Sequence, residues 1–151
     1  MSESAAGRQG RIVVGVDGSA ESGHALRWAA RQAGYTGATL EAVVAWQYPA
    51  FFGWAPSDAA SPDYAQLAGR TLDDALHQVF GSGRPGWVRA QAIEGHPAKV
   101  LVDTAVGADL LVVGCRGYGG LTDTLLGSVS TYCVHHAPGP VTVVRPAKRP
   151  H

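Results

Sequence analysis

The chain has no surplus of charge of either sign. Twelve Lys and Arg stand against 12 Asp and Glu, and charged residues are only 16% of the 151. Nothing marks a surface built to neutralise the phosphates of nucleic acid or to dock on an anionic bilayer, so neither is an expected partner. Long hydrophobic runs are missing as well. The longest clearly apolar stretch, Ala42 to Trp46, is far short of the ~20 residues a membrane span needs. The opening MSESAAGRQGR carries no apolar signal core, which gives a cytoplasmic expectation. Cysteine is scarce: Cys115 and Cys133 are too few and too far apart for a disulfide framework or a Cys-rich zinc site. The six histidines, at 24, 77, 96, 135, 136 and 151, include no pair three or four apart, so no helical metal dyad exists, and no metal ligands are expected. There is no internal repeat.

What is present is core material. Hydrophobic residues make up 46%, enough for one compact domain and too many for a disordered chain. Short β-branched runs alternate with longer Ala- and Leu-rich stretches. Five strands are expected, at Arg11 to Val16, Thr39 to Trp46, Trp87 to Glu94, Leu110 to Val113 and Val141 to Val144. Four helices fall between them: about Ala20 to Gly34, capped by Ser19 and stopped by Gly34 with Gly37; about Tyr64 to Phe80; about Pro97 to Val106; and about Gly127 to His136. Residues 11–146 then form the domain, with a flexible start at 1–10 and a tail at 147–151. Strict βα alternation gives an α/β fold, a doubly wound five-stranded parallel sheet with helices on both faces. In such sheets ligands sit beyond the carboxyl ends of the strands, where strand order reverses.

The densest signal follows the fourth strand. Gly114-Cys115-Arg116-Gly117-Tyr118-Gly119-Gly120 places four glycines in seven residues and runs on to Gly127-Ser128-Val129-Ser130. A backbone without Cβ atoms can bring its N–H groups to phosphate oxygens, and a helix start adds free N–H groups and a positive dipole end. Ser128 and Ser130 either donate to the same phosphates or cap the helix. Any single glycine here also reads as a tight turn. No Gly-Lys-Ser or Gly-Lys-Thr occurs, so this is not a Walker loop with its lysine and magnesium.

The spacing from Gly114 through Gly117 to Gly127 and Ser128 is G-x2-G-x9-G-S. With it stand Ile12-Val13-Val14-Gly15-Val16-Asp17-Gly18-Ser19, Glu94-Gly95-His96-Pro97-Ala98 and His135-His136-Ala137-Pro138-Gly139-Pro140-Val141. Over nearly its whole length the chain resembles the ATP-binding branch of the universal stress proteins. The resemblance implies an adenine nucleotide alpha hydrolase-like fold and ATP, with or without magnesium, as ligand. It implies a nucleotide-binding set of Asp17 at the ribose, Ala45 or its neighbour Val44 at the adenine through backbone, and Gly114, Gly117, Gly127, Ser128, Val129 and Ser130 at phosphate and ribose. It further implies a homodimer paired through the last strand, and a nucleotide-dependent regulator acting on an unknown protein partner in a stress response.

Each residue also has a plainer reading. Asp17 suits an Asx turn in Asp17-Gly18-Ser19. Arg116 meets phosphate or points to solvent, and Cys115 beside it reads as an ordinary loop or buried thiol. Trp46, Tyr48, Phe51, Phe52 and Trp54 form a lid, a partner surface or the packing of a long loop over Gln47 to Pro62. As an ATP-consuming enzyme the chain needs a positioned base. Asp17, Asp123 and His96 are candidates by residue type alone, so no catalytic residue is assigned and slow hydrolysis is the most that is expected. A slow ATPase or phosphotransferase, or a dimeric interaction module indifferent to nucleotide, are the alternatives.

Overall fold

A computed structural model describes residues 10–48, 63–116 and 126–146. Nine elements follow one another: β1 (Arg11–Gly15), α1 (Ala20–Thr36), β2 (Thr39–Trp46), α2 (Tyr64–Phe80), β3 (Val88–Glu94), α3 (Pro97–Thr104), β4 (Leu110–Gly114), α4 (Ser128–His136) and β5 (Val141–Val144). The strands form one sheet in the order β3-β2-β1-β4-β5. Every pairing is parallel, with Val14 opposite Ala42 on one side and Val112 on the other. The expected α/β architecture is the one observed.

Alternation along the strands splits the core in two. Ile12, Val14 and Val16 of β1 and its exit join Leu40, Ala42 and Val44 under α1 and α2, which contribute Leu26, Ala29, Leu72 and Leu76. On the opposite face Val13, Val43, Leu111 and Val113 pack beneath α3 and α4 through Val100, Leu101 and Cys133. Beyond that second core, towards the amino ends of the strands, the buried Glu41 carboxylate accepts from Arg11 Nε at 3.0 Å and Gln91 Nε2 at 2.8 Å, which pins three neighbouring strands together.

Some boundaries differ from the sequence reading. Helix α1 runs through Gly34 to Thr36, because the left-handed residue that ends it is Gly37 (φ 78°), whose N–H reaches Ala33 O at 3.0 Å. Helix α3 stops at Thr104, two residues early. Strand β1 ends at Gly15, although Val16 N–H still donates to Val43 O at 2.8 Å. Strand order reverses between β1 and β4. Because every strand is parallel, the starts of α1, α3 and α4 all lie at that carboxyl end of the sheet.

Candidate nucleotide-binding cleft

At the strand-order reversal the carboxyl ends of β1, β2 and β4 open into a cleft of about 340 Å3. Its lining takes Gly15, Val16 and Asp17 from the exit of β1, Val43 and Ala45 from β2, and Val113, Gly114 and Arg116 from β4 and its exit. Ser22 of α1, Pro97 and Leu101 of α3, and Gly127 to Ser130 at the start of α4 complete it. Seven residues singled out by sequence therefore meet in one place: Asp17, Ala45, Gly114, Gly127, Ser128, Val129 and Ser130. Gly117, the eighth, lies outside the described residues, as do Asp123, Phe51, Phe52 and Trp54. Of the two β2 neighbours, Ala45 lines the cleft and Val44 packs in the core under α1 and α2.

The turn after β1 is held by its own side chains. Asp17 Oδ1 accepts from the Ser19 N–H at 2.8 Å, forming the Asx turn, while the residue stays exposed at the cleft. Ser22, which the sequence reading passed over, is buried. Its hydroxyl accepts from the Asp17 N–H at 3.2 Å and donates to Ser19 O at 3.1 Å. Ser19 caps α1 by accepting from the Ser22 N–H.

Capping separates α4 from the other helices. Asp63 caps α2 through Gln66 N–H and His96 caps α3 through Ala98 N–H, so His96 Nδ1 serves as an acceptor and the residue does not line the cleft. Helix α4 begins after Gly127, which has no side chain to offer its first turn. Ser130 does not supply the cap either. Its buried hydroxyl has Cys115 O and Gly127 O as acceptors, each at 3.0 Å, and so ties the first turn of α4 to the exit of β4. Gly127 N–H donates to Cys115 O at 2.7 Å across the same junction. Arg116 Nη2 lies 3.5 Å from Glu21 Oε1 on the first turn of α1. The start of α4, which has no side-chain cap, brings its positive dipole end to the cleft lining, and Arg116 and the Asp17 carboxylate, an acceptor, stand in the same lining.

Among the described residues, no group of three or more His, Cys, Asp or Glu is placed to hold a metal ion, and no helix is long and apolar enough to cross a membrane.

The sequence model of the Universal stress protein family matches residues 9–145. The chain belongs to that family. A universal stress protein of Mycolicibacterium smegmatis is 37% identical over 145 residues, covering 88% of this chain and 47% of its own length. The chain spans about half the length of the curated relatives it matches. Among solved structures, the universal stress protein UspA of Lactobacillus plantarum superposes with a TM-score of 0.73 at 26% identity, covering 91% of this chain and 99% of its own. A universal stress protein in complex with cAMP gives 0.67 at 27% identity, covering 91% and 97%. The fold is thus the adenine nucleotide alpha hydrolase-like one of this family.

Signals for the remaining lining were weak. Pro97 and Leu101 read as the start and core face of α3, and Gly15 as part of a buried strand. A Cβ on Gly15 would sit 2.7 Å from Leu101 Cδ1, a contact between β1 and α3 that local pattern does not reveal.

Proposed function

We propose that the chain binds an adenine nucleotide, ATP with or without magnesium, in this cleft and acts as a nucleotide-dependent regulator in a stress response. The observation that carries the reading is the start of α4, a helix without a side-chain cap that opens on a cleft at the strand-order reversal. The N–H groups of Ser128, Val129 and Ser130 are suited to phosphate oxygens, with Gly114, Gly117 and Gly127 letting the backbone come close. The Asp17 carboxylate is suited to the ribose hydroxyls, and the backbone at Ala45 to the adenine. The family relative that holds cAMP adds support. Binding, with slow hydrolysis at most, is the activity: His96 caps α3 through Nδ1 and does not line the cleft, and the Asp17 carboxylate accepts from the Ser19 N–H in its own turn.

The same reading makes residues 11–146 the domain, flanked by 1–10 and 147–151. The protein works in the cytoplasm as a homodimer. β5 is an outer strand whose four residues, Val141-Thr142-Val143-Val144, are only partly buried, and a second copy pairing along it would cover them. Static light scattering at micromolar protein returns a dimer mass on this account and a monomer mass against it.

Mild release and mass identification of the small molecule that co-purifies with the protein, then titration of ATP into stripped protein, tests the ligand. Bound adenine nucleotide or micromolar affinity is expected. No nucleotide and no affinity at millimolar ATP would make the glycine loop structural and favour a nucleotide-independent module.

A further inference from the structure

Arg116 and Glu21 form the ion pair of the described residues that borders the cleft, and the proposed binding reading gives it no part. Both side chains are largely shielded, at 18% and 22% exposure, so neither is an ordinary surface group. Their 3.5 Å separation is long beside the roughly 2.7–2.9 Å of a charge-assisted hydrogen bond, so the pair is made without being tight. Arg116 lines the cleft, and its guanidinium presents a fork of donors matched to phosphate as well as to carboxylate. Glu21 sits in the first turn of α1, where the helix dipole already favours a negative charge. A carboxylate so placed can give up its partner at reduced cost.

We propose that Arg116 recognises the phosphate end of the ligand and that Glu21 is its internal competitor. This rests on the reading of the cleft as an adenine nucleotide site. With the cleft empty, Glu21 holds Arg116. When a polyphosphate enters, the guanidinium transfers to the more highly charged anion, and the first turn of α1 loses a tie to the exit of β4. That turn also carries Ser19 and Ser22, which hold Asp17. Phosphate occupancy is thereby passed to the residue at the ribose end and to α1, whereas a nucleoside without phosphate leaves the Glu21–Arg116 pair intact.

The test compares ATP with adenosine for the wild-type chain, Arg116→Gln, Arg116→Lys and Glu21→Gln, at one low ionic strength, with melting curves recorded for each. The ratio of ATP to adenosine affinity falls about tenfold in Arg116→Gln, recovers in part in Arg116→Lys, and rises about threefold in Glu21→Gln. A ratio unchanged in Arg116→Gln, or lowered in Glu21→Gln, while the wild type binds both ligands, overturns the competition and leaves the nucleotide reading standing. Should Arg116→Gln not fold, the sign of the Glu21→Gln change decides alone. A wild-type chain that binds neither ligand overturns both.

Discussion

A Cβ placed on Gly114 would lie 2.9 Å from the backbone carbonyl carbon and oxygen of Glu21, so the exit of β4 and the first turn of α1 meet with no side chain between them. The glycine is required by packing, whatever approaches it from the cleft. Backbone, unlike the end of a flexible side chain, cannot step aside cheaply. Gly114→Ala should therefore cost about 1–3 kcal/mol by overpacking and lower Tm by several degrees, as thermal unfolding would show. An unchanged Tm would mean that the two elements are not in this contact.

Ser22 should affect both stability and ligand. Ser22→Ala removes the acceptor of the Asp17 N–H and the donor to Ser19 O, at a cost of about 1–2 kcal/mol. It should also weaken ATP several-fold by loosening Asp17. In an Asp17→Ala background the loss of stability should persist while the added loss of affinity vanishes, and titrations of the four proteins separate the two. An additive loss of affinity would show that Ser22 acts independently of Asp17.

How much could be read beforehand followed the distance over which each cause acts. The start of α1 at Ser19 and the stop at Gly37 are local capping events and were legible; the passage through Gly34 was not, because a glycine with open space around it permits a helix as readily as it ends one. Asp17, Ala45 and Gly127 to Ser130 were named through the family resemblance, and they meet in one cleft because strand ends and helix starts converge at a strand-order reversal whatever their side chains. Leu101 and the packing reason for Gly114 were hidden, since each depends on an element far away in sequence, whereas Ser22 bonds to Asp17 and Ser19 within five positions and was passed over. Ser130 shows the mixed case: its place at the start of α4 was legible, and its hydroxyl bond to Cys115 O across 15 positions was not.

Cys133 should make stability depend on pH. Burial pushes its thiol up from 9.0 to about 11. Below pH 9 the thiol is protonated in both folded and unfolded chains and contributes no slope. Between 9 and about 11 the unfolded chain releases the proton and the folded one keeps it, so stability falls as pH rises through that window. Denaturant unfolding from pH 8 to 11 should show the fall, and Cys133→Ala should flatten this part of it. The native thiol should also resist iodoacetamide at pH 8, and rapid labelling would contradict its burial.

The most direct test of nucleotide binding at the α4 start is ATP titration of the wild type beside Gly127→Asp. Gly127 has φ −69° and ψ 168°, a backbone that any residue adopts, so the substitution need not strain the turn. An aspartate there would cap α4 and add a few tenths of a kcal/mol, while placing a negative charge where phosphate is proposed to sit. The account predicts micromolar ATP binding by the wild type, at least about tenfold weaker binding by the variant, and a Tm that holds or rises slightly. Equal ATP affinity in the two proteins, or none in the wild type at millimolar ATP, would contradict it.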